Sequence, residues 1–86
     1  MGQPLIRVGD KTSHGGEVMT GSANMIIDGK EVARLGDKVT CPTCGDTVIA
    51  VGSPTYITDG QPTARHGDTT ACGATLIASQ TSYFIE

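Results

Sequence analysis

Three side chains able to bind a soft metal stand at one position of a pattern that the chain writes three times. The copies are Arg7-Val8-Gly9-Asp10-Lys11-Thr12-Ser13-His14, Arg34-Leu35-Gly36-Asp37-Lys38-Val39-Thr40-Cys41 and Arg65-His66-Gly67-Asp68-Thr69-Thr70-Ala71-Cys72. Each reads Arg-x-Gly-Asp, then three residues, then His14, Cys41 or Cys72. Repeats that carry ligands at equivalent positions can bring them together on a pseudo-threefold axis. Zinc takes four ligands in tetrahedral array, from Cys thiolate and His nitrogen. Cys41-Pro42-Thr43-Cys44-Gly45 is a Cys-x-x-Cys with a tight Pro and Gly turn, so both sulfurs can reach one ion.

His66 brings the candidates to five for four places: His14, Cys41, Cys44, Cys72 and His66. In one assignment His14, Cys41, Cys44 and Cys72 bind and His66 stands apart. In the other His66 binds and either Cys41 or Cys44 stands aside. His66 fills the slot of Val8 and Leu35 in the other copies, which also suits a histidine packed in an inward apolar slot. Both assignments stay open on the sequence, and other first-row metals such as iron compete with zinc for such donors.

Other chemistries fit less well. A redox Cys-x-x-Cys places its first Cys at a helix N-terminus, which lowers the thiol pKa. Here Gly45-Asp46-Thr47-Val48-Ile49 continues as turn and strand. Asp10, Asp37 and Asp68 read as turn-closing side chains, as Asp does in tight turns. The three arginines could pair with these acids across the axis. No nucleophile or substrate pocket accompanies the acids, so no catalytic residues are assigned. A small zinc or thiol enzyme is kept as the alternative of a different class.

The elements that must position these ligands are short strands. Twelve glycines and four prolines are spread along the chain and break helical period. Apolar runs lie between turn signals: Ile26-Ile27, Val48-Ile49-Ala50-Val51, Tyr56-Ile57-Thr58, Leu76-Ile77 and Tyr83-Phe84-Ile85. Asp28-Gly29 and Asp59-Gly60 are hairpin dipeptides. The repeat extends through them. Gly21 to Gly29 aligns with Gly52 to Gly60, and Ala78 to Glu86 aligns with both, stopping where its turn would begin. Pro4-Leu5-Ile6-Arg7, Glu31-Val32-Ala33-Arg34 and Pro62-Thr63-Ala64-Arg65 also align. Gly9 and Gly36 are 27 residues apart, Gly36 and Gly67 31, and the extra residues fall around Cys41 to Gly45.

Short β repeats that cannot bury a face alone pack on one another. The expected fold is all-β: a short three-repeat β-prism or β-helix cone with pseudo-threefold symmetry, one domain over residues 1–86. Three sheets would surround the axis. Ile26, Ile57 and Phe84 would share one face, and Met25, Tyr56 and Tyr83 the other.

With 86 residues, one Phe, two Tyr and no Trp, the core is small and a staple is expected. Three cysteines cannot close a disulfide framework without leaving one over, so ligation is the better use for them. The net charge of −3 argues against nucleic acid as partner. No apolar run reaches the length of a membrane span, and the N-terminus lacks the pattern of a Sec-type signal peptide. Synthesis in the cytoplasm is expected.

The chain resembles the PAAR-repeat proteins, named for a Pro-Ala-Ala-Arg tetrapeptide. The resemblance runs over essentially the whole chain. It rests on Pro62-Thr63-Ala64-Arg65-His66-Gly67-Asp68, Thr12-Ser13-His14-Gly15-Gly16, Thr40-Cys41-Pro42-Thr43-Cys44-Gly45 and Ala71-Cys72-Gly73. No copy is a literal Pro-Ala-Ala-Arg, and the family often has His where Cys44 stands. The resemblance implies a cone that caps the tip of the type VI secretion spike. Its base would sit on a trimeric VgrG-like protein, and zinc near the apex would hold the point. It implies a monomeric, non-enzymatic part, exported on the spike to the extracellular space or target cell, touching the target membrane mechanically and recruiting effector proteins. The tip of a phage-like contractile injection system is the close variant. No fused effector domain is expected, since the last strand pattern ends at Glu86.

Overall fold

The computed structural model describes residues 2–43, 45–79 and 83–85, and these form an all-β structure without helix. In chain order the strands are β1 (Gln3–Pro4), β2 (Lys11–Thr12), β3 (Ser22–Ile27), β4 (Lys30–Val32), β5 (Lys38–Val39), β6 (Thr47–Val48), β7 (Ile57–Thr58), β8 (Gln61–Pro62), β9 (Leu76–Ile77) and β10 (Phe84–Ile85). Pairing is antiparallel throughout: β1 with β10, β2 with β9, β3 with β4, β5 with β6, and β7 with β8.

The expected hairpins form at Asp-Gly. Asp28 and Gly29 take φ of 53° and 79°, Asp59 and Gly60 52° and 78°. Positive φ at both central residues matches the right-handed twist of the flanking strands. The third sector joins strands distant in sequence. β10 pairs with β1, so Phe84 faces Pro4 and Ile85 faces Gln3. This is the same register as Ile57 with Pro62 and Thr58 with Gln61. The first copy therefore lends the return strand of the third, and the ring closes through the two ends of the chain.

Each copy is also stitched to the next. Isolated bridges join Arg7 to Val32, Arg34 to Thr63, and Arg65 back to Leu5. Around the same ring Ala33 N–H donates to Ile6 C=O (2.8 Å), Ala64 N–H to Ala33 C=O (3.0 Å), and Ile6 N–H to Ala64 C=O (3.0 Å). Three donors and three acceptors thus satisfy one another in a closed cycle among fully buried residues. A second tier repeats the device: Val18 bridges Val39, Ile49 bridges Thr70, and Leu76 pairs with Thr12. In place of three separate sheets, short ladders link all three copies at each level.

One large and two small side chains, Ile6, Ala33 and Ala64, line the first ring, and larger ones the second. Ile6, Ala33, Ala64, Val18, Ile49, Leu76 and Val39 form the central buried cluster. A second cluster gathers Leu5, Ile27, Val32 and Ile85 under the hairpins, with Met25 packed against it. In the remaining sector the buried Thr58 and Thr63 face each other, their hydroxyls 2.6 Å apart. The inward hairpin positions are therefore Ile27, Thr58 and Ile85. Ile26, Ile57 and Phe84 do share a face, and it is the outward one: they are 50%, 53% and 52% exposed. Successive strand residues point to opposite sides, so burying 27, 58 and 85 turns their predecessors outward. Of the set expected on the other face, Tyr56 and Tyr83 are exposed and Met25 is half-buried.

Candidate metal centre

The Arg-x-Gly-Asp turn is built alike in all copies. The Asp N–H donates to the Arg carbonyl at 3.0 Å in each. The Arg N–H donates back to the Asp carboxylate at 2.8 Å (Arg7 to Asp10), 2.7 Å (Arg34 to Asp37) and 2.8 Å (Arg65 to Asp68). The intervening Gly9, Gly36 and Gly67 take φ of 93°, 90° and 92°, which side chains resist. The turn-closing role of the acids is thus the observed one.

Pairing of arginine with acid across the axis is not observed. Arg34 binds Asp37 and Arg65 binds Asp68 of the same turn, at 3.1 and 2.9 Å. Three residues apart on one tight turn, the partners are already adjacent, and no cross-axis reach is required. Arg7 differs: its guanidinium turns to Ser79 Oγ (3.0 Å), the Ile27 carbonyl (3.4 Å) and Asp28 (3.5 Å). The Ser79 hydroxyl in turn donates to Asp10.

Each turn feeds two strand residues and then a ligand loop. Thr12 Oγ accepts from His14 N–H (3.3 Å) and Gly16 N–H (3.1 Å), and Thr70 Oγ accepts from Ala74 N–H (3.1 Å). Gly15 N–H donates to Thr12 C=O and Gly73 N–H to Thr70 C=O, with φ of 85° and 89° at the two glycines. The first and third loops are thus one hydroxyl-pinned design. The second has Val39 in place of the threonine and closes by Gly45 N–H donating to Cys41 C=O (2.8 Å). The loops meet tightly. A Cβ on Gly16 would lie 1.8 Å from the Thr40 carbonyl oxygen.

This brings His14, Cys41 and Cys72 together, with one donor atom from each lying within 4.8 Å of the others. Cys41 Sγ is 3.6 Å from His14 Nδ1, Cys72 Sγ is 4.0 Å from the same nitrogen, and the sulfurs are 3.4 Å apart. A tetrahedral ion with Zn–S of about 2.3 Å and Zn–N of about 2.0 Å separates its donors by about 3.5–3.8 Å. The donor set fits the ion in both chemistry and span. Cys44 lies outside the described residues. His66 is not in this group: it is exposed, and its Nδ1 accepts from Ala78 N–H at 3.0 Å. Nor is its slot inward and apolar, since Val8 and Leu35 at the equivalent positions are only half-buried.

Within the triad, neighbouring side chains lower both thiols and raise the imidazole. The Thr43 hydroxyl, 3.2 Å from Cys41 Sγ, does most to pull that thiol down to about 5, with His14 and Cys72 assisting against burial. Thr70 holds the Cys72 thiol below its usual value, while Cys41 pushes the other way. The neighbouring sulfurs, Cys41 first, raise His14. Thiolate is the form a metal requires, and binding would displace the histidine proton. The sequence reading did not assign these threonines a role. The signal was present, because Thr12-x-His14 and Thr70-x-Cys72 place a hydroxyl two residues before the ligand. After the second loop the chain enters β6, paired with β5, and not a helix. The local setting that a redox Cys-x-x-Cys uses to activate its first thiol is therefore lacking there.

No curated protein matches the chain. The family model described as PAAR motif matches residues 8–78, a span that takes in all three Arg-x-Gly-Asp turns beyond Arg7 and all three ligands of the triad. The chain belongs to the PAAR-motif family.

Proposed function

We propose that this chain is the zinc-holding tip of a type VI secretion spike, seated on a trimeric VgrG-like protein. The observation that carries the reading is the outward ring of Ile26, Ile57 and Phe84, equally exposed at the three equivalent hairpin positions. A threefold partner is met by a threefold set of apolar side chains. The strand edges beside them carry backbone groups able to extend a ladder onto another β-structure. In the order of the hydrogen-bond ladder this crown stands at one end and the ligand loops at the other. Membership of the family supports the same assignment.

In this reading His14, Cys41, Cys72 and Cys44 hold the ion. Its chemistry would be structural: it cross-links three loops where too few residues converge for an apolar core. The residues themselves position the donors, through the Thr12 and Thr70 hydroxyls and the close approach of Gly16 to Thr40. No catalytic role is assigned. The tip would be carried out on the spike and meet the target membrane mechanically, with its exposed loops recruiting effector proteins as cargo.

The test is co-elution with a purified VgrG-like trimer, read as one chain per trimer by light scattering. Ile57→Asp with Phe84→Asp should abolish the complex while leaving the β-sheet circular dichroism unchanged. Undiminished binding by that folded variant would overturn the crown as the seat.

A further inference from the structure

Two of the three ligands are sulfurs close enough to react with each other. Cys41 Sγ and Cys72 Sγ are 3.4 Å apart, and both cysteines are free. A disulfide needs about 2.05 Å between sulfurs, so closing the gap takes a shift of about 1.3 Å. The two loops are already held in contact with the first, since Ser13 N–H donates to Thr75 C=O and Thr40 N–H to Glu17 C=O. Cys72 is half-buried and Cys41 buried, so an oxidant in solution meets Cys72 first.

We infer that, when the metal is lost, Cys41 and Cys72 form a disulfide under a peroxide oxidant, locking the second copy to the third at the ligand loops. In the first step Cys72 sulfur attacks the peroxide. The O–O bond breaks, the sulfur becomes a sulfenic acid, and one water leaves. In the second step Cys41 sulfur attacks the sulfenic sulfur, the S–O bond breaks, and a second water carries away the oxygen and the protons. Two thiols are oxidised by two electrons and hydrogen peroxide is reduced to two waters. The metal and the disulfide exclude each other, because both use the same sulfur lone pairs. The loops are thus cross-linked in either state. The inference does not depend on the spike reading, only on the placement of the two sulfurs.

The experiment treats the purified full-length protein with hydrogen peroxide, with and without excess zinc, and maps disulfides by mass spectrometry. Trypsin cuts after Lys38 and Arg65, leaving Cys41 and Cys44 on one peptide and Cys72 on the next. The expected product joins the two peptides with loss of two hydrogens. Cys44→Ser should still form it, and Cys41→Ser should not. Excess zinc should slow it about tenfold or more, as mass action holds the sulfurs on the metal. A loop disulfide within the first peptide, a statistical mixture of pairings, sulfinic acid on Cys72 without a cross-link, or no protection by zinc would each overturn the inference.

Discussion

The ligand loops and the hairpin crown come from the same repeat, yet different forces hold them. Under the crown, Leu5, Ile27, Val32 and Ile85 are buried, β-ladders close on both sides, and an Asp-Gly turn or a strand exchange ends each sector. At the ligand loops the apolar support is Val39, Ile49, Leu76 and the small Ala74. There the chain turns on threonine hydroxyls and on donor atoms about a metal's width apart. Where three segments converge, too few side chains meet to exclude water by packing. In the proposed reading the directional bonds of a metal then replace area burial.

The largest predicted contrast separates the two by metal removal. Structural zinc contributes about 10 kcal/mol or more of binding free energy in good sites. A strong chelator should therefore lower the thermal midpoint by tens of degrees, with hydrogen exchange rising first at residues 12–16, 39–43 and 70–74. If exchange rises first in the hairpins, the division of labour drawn above is wrong.

Packing should show the reverse pattern. Ile49 is buried in the central cluster, whereas Ile57 stands outward on the crown. Ile49→Ala should cost about 3 kcal/mol in denaturant unfolding. Ile57→Ala should change stability by less than about 0.5 kcal/mol.

Two glycines sharpen the same comparison. Gly16→Ala drives a Cβ into the Thr40 backbone between two ligand loops and should cost about 3 kcal/mol and weaken metal retention. Gly29→Ala meets open space in its hairpin, and only its positive φ resists, for about 1 kcal/mol. Equal losses in the two variants would remove the close approach as a cause.

The smallest effect is a pH dependence at the crown. Hydrogen bonds from Ser22 and Asn24, with Arg34 at 3.2 Å, hold the Asp59 carboxyl below its usual value. A depressed carboxyl stabilises the fold above its unfolded pKa of about 3.9, and that contribution is lost as pH falls through the folded value. Asp59→Asn should therefore lower the midpoint slightly at neutral pH and not at strongly acid pH. Solvent screens a surface network of this kind, so the shift in midpoint should be the smallest of the set.

Much of this architecture could be read in the sequence, and the reasons are local. Asp28-Gly29 and Asp59-Gly60 specify their turns by backbone chemistry. The Arg-x-Gly-Asp copies fix register, so the convergence of His14, Cys41 and Cys72 followed from counting. What escaped was set by neighbours distant in sequence. Gln3–Pro4 is a strand of weak β propensity, made by its pairing with Phe84–Ile85 at the other end of the chain. Which hairpin face turns inward was not specified by the alternation alone; it fell to Ile27, Thr58 and Ile85, because burial beneath the ring chooses the face. Arg7, Arg34 and Arg65 look alike in sequence, yet Arg7 alone leaves its turn partner for Ser79, brought to it by the third copy.

The most direct test of the central claim is metal content of untagged protein by elemental analysis, with Cys41→Ser and His66→Ala measured beside it. A metal-held triad predicts about one zinc per chain, lost in Cys41→Ser and kept in His66→Ala. A well-folded wild type without metal would contradict it, as would loss of zinc on replacing His66 with retention on replacing Cys41.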